Sequence, residues 1–312
     1  MLLLSISVQA EDELTFRTRL KLQVQESLQR EKFDDLEKVA QIFRDRQTRT
    51  GSGVWALTQF YMSFSWMDLA NDQHWNKVEQ TLLRWQKRFP ASATPVIAYA
   101  AALLERGRQI RSDRGREQAS LFWRRGYDLL LHTKSFSDKD PSWYVQIGYA
   151  GCTHDWKPQE FDKLLEEGMT RFPAHYQMYF AALEYYRCNT TQLPYHLEGI
   201  ASRAARNNKA TDGDGPYARV YWYAAEAYFG DRLFQDTKVN WPRMKNAMDD
   251  VLRQYPDQWN INNFAYFACL KGDKAKTREL LGRVTTPIMD AWDSEERFQQ
   301  CRHWANQGVK SA

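Results

Sequence analysis

Apolar residues along this chain recur at intervals of three and four: Phe33, Leu36, Val39, Ile42 and Phe43; Val78, Leu82 and Trp85; Met244, Met248, Val251 and Leu252. That spacing is the stripe of an amphipathic helix, and no stretch of useful length alternates Val, Ile or Thr as a half-buried strand would. Three of the helical runs share a further phrase. They open on Trp75, Trp156 and Trp241 and close on Phe89-Pro90, Phe172-Pro173 and Tyr255-Pro256. The closing prolines are 83 residues apart both times (173 − 90 and 256 − 173), so related helical units repeat along the chain.

The spacing of apolar runs and breaks predicts about seven hairpins. Residues 11–50 form an N-terminal hairpin that turns near Arg30 to Lys32, and Thr50-Gly51-Ser52-Gly53 breaks the pattern as a hinge before the repeat region, residues 51–312. An aromatic helix is expected from about Val54 to Ala70. Ala100, Ala101 and Ala102 are small enough to let a neighbouring helix come close. The basic stretch Gly107 to Gly115 is a helix extension or a surface loop. Asp140-Pro141 and Pro216 open helices, since proline suits the first turn, and residues 207–215 are the strongest loop signal. The fold class expected is all-α: a right-handed α-α superhelix, a tetratricopeptide-like solenoid in one elongated domain.

Composition supports a packed helical chain. Aromatic residues make up 14 % of 312 residues, including 12 Trp, while Gly (15) and Pro (10) are sparse, which argues against disorder. The net charge of +4 is too small to favour nucleic acid or an anionic membrane. After the first ten residues no apolar run approaches a membrane span. Residues 1–10 are apolar and end in Val8-Gln9-Ala10, which reads as the tail of a secretory signal and places the protein in the periplasm, with the cytoplasm as the alternative. Of the possible pairings of the four cysteines, spacing favours Cys152 with Cys188 and Cys269 with Cys301, because residues about one helix pair apart lie side by side in a stack. The other reading is four small buried hydrophobes.

The phrases Asp140-Pro141-Ser142-Trp143-Tyr144, Asp155-Trp156, Tyr217-Ala218-Arg219, Trp241-Pro242-Arg243-Met244 and Asn262-Asn263-Phe264-Ala265-Tyr266-Phe267-Ala268-Cys269-Leu270, followed by Gly272-Asp273, resemble a bacterial family with tetratricopeptide-like helices, domain of unknown function 4034. The resemblance runs over roughly residues 54–305 and implies an all-helical repeat fold with no established activity. It also implies a glycine near Cys152 and an aromatic residue near Cys188, so a bridge there is particular to this chain.

Chemical signatures are weak. Cys152-Thr153-His154-Asp155 holds a thiol, an imidazole and a carboxylate on one short loop, whereas catalytic triads are assembled from distant segments. The six histidines are scattered, so no metal and no cofactor is expected. Asp212-Gly213-Asp214-Gly215 resembles the start of a calcium loop but has Tyr223 where the bidentate Glu belongs. Trp143, Tyr144, Tyr176, Tyr179, Tyr217 and Tyr221 lie near the starts of alternate helices. On the concave side of a curved stack they would form an aromatic ladder for a protein or peptide partner; otherwise they fill the space between layers. The function expected is therefore non-catalytic: a scaffold, adaptor or inhibitor, one version being the immunity protein of a secreted toxin. The alternative is a cell-wall glycosidase or lyase using Glu105, Glu166 or Glu167. Oligomeric state is not legible.

Overall fold

A computed structural model describes residues 11–151, 158–189 and 193–307, and among these the helices run α1 (Glu13–Gln29), α2 (Phe33–Arg46), α3 (Ala56–Ser65), α4 (Asp72–Arg88), α5 (Ala93–His132), α6 (Lys134–Ser137), α7 (Pro141–Ala150), α8 (Pro158–Arg171) and α9 (Gln177–Asn189). They continue as α10 (Leu193–Asn207), α11 (Lys209–Asp212), α12 (Gly215–Ala224), α13 (Leu233–Asp236), α14 (Trp241–Gln254), α15 (Gln258–Lys271), α16 (Lys274–Leu281), α17 (Met289–Trp292) and α18 (Glu295–Asn306). The chain is all-α, as the periodicity predicts. Among the described residues the one strand-like feature is an isolated bridge between Arg49 and Trp55. Residues 1–10, Cys152 and Trp156 lie outside the described residues.

Local chemistry sets the helix starts. Asp12, Asn71, Ser92, Asp140, Asn240, Asp257, Asp273 and Ser294 each accept a backbone N–H of the first turn from a side-chain oxygen. Pro141 and Pro242 occupy first-turn positions that need no amide hydrogen. Three expectations shift. The aromatic helix after the hinge is short, ending at Ser65. The basic stretch is helical up to Gly115, whose φ of 78° reverses the chain inside α5, so the segments 93–114 and 116–132 pack as a hairpin: the indole N–H of Trp123 donates to the Leu104 carbonyl at 3.0 Å. The loop signal at 207–215 contains the short helix α11 and a turn at Gly213, φ 60°.

The helices stack in two layers. α1 rests on α3, α3 on α5, α5 on α7 and α7 on α9, while α2, α4, α8 and α10 back them. Small residues set the closest crossings: a Cβ on Gly148 of α7 would stand 2.6 Å from Cβ of Ala181 on α9. One continuous core runs from Phe16 to Cys301, and the N-terminal hairpin is a layer of it.

The early and late parts of the stack meet. α1 touches α15, and the hinge residues are buried, Thr50 at 3 % and Ser52 at 1 % exposure. Glu13, fully buried, accepts the Ser52 N–H at 2.8 Å, and its own backbone N–H donates to Asp257 at 3.0 Å. Arg219 of α12 donates to the Ser52 carbonyl and lies over the rings of Tyr176 and Tyr255. First and last thirds are thus joined through the 50–53 loop. Each buried charge in that joint has an opposite charge, a hydrogen bond or a ring face against it, which is the condition for burying charge at tolerable cost.

Candidate functional site

The six aromatic residues predicted as a ladder are interior, none more than 4 % exposed: Trp143, Tyr144, Tyr176, Tyr179, Tyr217 and Tyr221. The expectation of an exposed binding face on these residues is corrected. The reason is packing: α5, α7 and α9 lie close enough for large rings to fill the gaps between layers, so Trp143 donates to the Leu130 carbonyl at 2.9 Å and packs edge-on to Tyr144. Their hydroxyls still reach polar partners. Tyr217 and Tyr221 both donate to Glu198, and Tyr144 donates to Glu167. Burial first, then the neighbouring carboxylate, pushes these phenols up from their usual value, Tyr217 to about 12.

What the stack leaves open is a cleft of about 670 Å³ along the inner helices α3, α5, α7 and α9. Alternate helices of stacked hairpins run in the same direction, so their first turns gather at one end of the cleft and their last turns at the other. The first-turn end holds Thr58, Tyr61, Ser142 and His175. Met62, Leu104, Trp123, Val145 and Tyr149 form apolar walls. The far end is charged, with Glu105, Arg108, Arg111, Arg116, Glu184 and Arg187.

Two of the four arginines are paired locally. Glu105 accepts from Arg108 Nε at 2.8 Å and from Gln109 at 2.6 Å, and Glu184 accepts from Arg187 Nε at 3.3 Å and from the Tyr223 hydroxyl at 2.6 Å. Arg111 and Arg116 are exposed and meet no carboxylate among the described residues. They carry the free positive charge of the rim.

The opposite end has unsatisfied polar atoms instead of free charge. His175 is 1 % exposed, stands edge-on to Trp55 at 5.1 Å, and neither ring nitrogen has a hydrogen-bond partner among the described residues. Burial holds its imidazole down at about 4, with Asp140 pulling the other way and Arg49 adding to the depression. Ser142 Oγ, in a residue 3 % exposed, also lacks a partner. Ser142 and His175 are therefore not hydrogen-bonded to one another, and a nucleophile without a base in contact is not an activated pair. Beneath them Asp140, fully buried, accepts from Arg44 Nε at 2.8 Å, the Tyr61 hydroxyl at 2.7 Å and the Ser142 N–H at 2.8 Å. In the sequence Asp140 marks only the start of a helix, and His175 is one of six scattered histidines with no motif around it.

A second cleft of about 530 Å³ lies between α8, α9 and α10, with Tyr195 at 65 % exposure and Lys238 over its ring. Its carboxylates are engaged: Asp162 by Tyr186, Glu166 by Arg203, and Glu198 by Tyr217 and Tyr221.

Of the predicted disulfides, Cys269–Cys301 is present, its Cα atoms 5.9 Å apart, and it ties α15 to α18. Cys188 is disulfide-bonded, and Cys152 lies outside the described residues together with the rest of the cluster Cys152 to Asp155. Among the described residues no helix is long and apolar enough to cross a membrane. No family model matches the chain, and neither does any curated protein or solved structure.

Proposed function

We propose that this is a non-catalytic binding protein that takes a short, extended, acidic segment of a partner protein into the cleft along α3, α5, α7 and α9. The observation that carries the reading is the pair Arg111 and Arg116, exposed at the rim with no carboxylate of the described chain to neutralise them. Charge left unpaired beside apolar walls suits a ligand that supplies the counter-charge. Length agrees with a peptide. From Gln177 to Arg187 the cleft follows ten residues of helical rise, about 15 Å, and with His175 just before the helix it spans roughly five extended residues.

The compartment proposed is the periplasm. Cys188, Cys269 and Cys301 are all in disulfides, and such bonds persist where the surroundings are oxidising. The glycosidase or lyase alternative would draw on Glu105 and Glu184, the carboxylates that line the cleft. Both are ion-paired, which is the arrangement of a structural acid and not of a poised proton donor.

The test is selection of a displayed random decapeptide library on the purified protein. The reading expects enrichment of Asp and Glu, lost or inverted to Lys and Arg on the double variant Arg111→Glu/Arg116→Glu. Enrichment indifferent to charge, or unchanged by the double variant, counts against it.

A further inference from the structure

Resting on the peptide-binding reading, we infer that His175 and Ser142 form an anchor subsite for one neutral carboxamide side chain, Asn or Gln, of the bound segment, about five residues from the acids that meet Arg111 and Arg116.

Three observations converge on this. Both residues line the same end of the cleft, and both are more than nine-tenths buried with polar atoms unpartnered among the described residues. A buried polar group without a partner is costly, and a ligand that satisfies it recovers that cost on binding. A neutral imidazole offers one donor and one acceptor, and the serine hydroxyl offers both roles. A carboxamide is the side chain that matches such a set, because it too carries donors and an acceptor on one small planar group.

Charge excludes the other candidates. The charged groups that bear on His175 are Asp140 and Arg49. Asp140 is already held by Arg44 and Tyr61, and Arg49 lies 3.6 Å from Asp212 and over the rings of Trp55 and Tyr176. Each has its own partner, so neither is free to balance a carboxylate or an ammonium brought to the floor. An ionised side chain there would be buried without a counter-ion, whereas an amide would not. An aliphatic anchor would fit the walls but leave the imidazole and hydroxyl unmatched. Selectivity of this kind, set by polar groups that a wrong ligand leaves unpaired, is stronger than selectivity by shape alone.

The experiment uses an array of synthetic ten-residue alanine-based peptides that carry a Glu-Glu pair near one end. At each position three to seven residues away, in both directions, one of Asn, Gln, Leu, Asp, Lys or Ala is placed, and dissociation constants are measured for the full chain. The expected result is that Asn or Gln at one spacing binds about tenfold tighter than Ala, the effect of roughly one well-made neutral hydrogen bond. Ser142→Ala and His175→Phe should each remove most of that advantage while leaving the contribution of Glu-Glu intact. Ser142→Ala deletes a single oxygen and so keeps the test open if His175→Phe disturbs folding, which its melting temperature would show. If Asn and Gln are no better than Ala at every spacing, or if their advantage survives Ser142→Ala and His175→Phe, the anchor is overturned while the acidic-segment reading stands. If peptides with Glu-Glu bind no better than all-alanine peptides, the acidic-segment reading fails with it.

Discussion

The side-chain amide of Asn260 donates to the backbone carbonyl of Ser52 at 3.1 Å, across 208 positions of sequence, and to the Tyr255 carbonyl at 2.9 Å. Asn260 is fully buried. The Ser52 carbonyl also accepts from Arg219, so one oxygen of the hinge loop ties it to both α12 and α15.

Asn260→Leu should therefore destabilise the protein by about 2–3 kcal/mol, because two carbonyls lose a donor, that of Ser52 in a buried hydrogen bond. Arg219→Met should do comparable damage by removing the second donor together with its contacts to Tyr176 and Tyr255. Urea unfolding provides the measurement. The two losses should not add, since both variants act on the same oxygen.

Gly53 supports the same joint by its conformation. Its φ is 89°, and a Cβ there would lie 2.6 Å from the ring of Tyr255. Gly53→Ala combines backbone strain with a steric clash and should cost about 2–4 kcal/mol. Tyr255→Ala alone also destabilises, by loss of packing. In the double variant the clash is gone, so the combined loss should fall short of the sum by about 1 kcal/mol or more.

The helices were legible because each carries its own signal. Met244, Met248, Val251 and Leu252 repeat with the helical period, Phe89-Pro90 stops α4, and Asp140-Pro141 starts α7. The closure was not legible. Gly51-Ser52-Gly53 has the composition of a flexible hinge, yet those residues are small because Tyr255 and Asp257 press against them. Local composition reports that a backbone is unencumbered by side chains, not whether another segment fills the space.

The candidate site divides in the same way. The aromatic residues at the starts of alternate helices were found, but their direction was not, since an inner helix of a stack has neighbours on nearly every side and a large ring is favoured wherever layers meet. Arg111 and Arg116 stood out only as part of a basic stretch. Their freedom depends on which carboxylates the fold brings near: Glu105 pairs with Arg108 and Asp72 with Arg114, leaving these two out. His175 had no sequence signal, because its character comes from Trp55, more than a hundred residues away in the chain.

His175 should make stability depend on pH. Its imidazole, held at about 4 by burial, takes up a proton in the unfolded chain near 6.5. Between those values the unfolded state binds the proton and the folded state does not, so this contribution is complete above about pH 6.5 and is lost as pH falls, levelling off near 4. At full extent the difference is about 3 kcal/mol. Urea midpoints measured from pH 7.5 to 4 should fall less steeply for His175→Phe than for the natural chain. Parallel curves would mean that the ring is protonated in the folded protein with little penalty.

The Cys269–Cys301 bridge closes a loop of 32 positions, for which the chain-entropy account gives about 3–4 kcal/mol. Where that loss falls is decided by the neighbours of each half. Cys269 belongs to α15, which is also held by α1, α14 and α16. Cys301 belongs to α18, whose buried face of Phe298, Cys301 and Ala305 rests on the end of the stack. In a stacked array each layer depends mainly on those beside it, so Cys269→Ala/Cys301→Ala should release α18 first. Amide exchange should accelerate across 295–306 while α1 and α3 keep their protection. The double variant is preferable to a reducing agent, which would also open the bond at Cys188. Equal loss of protection in α1 would instead mean that the cap and the Ser52 joint open as one cooperative unit through α15.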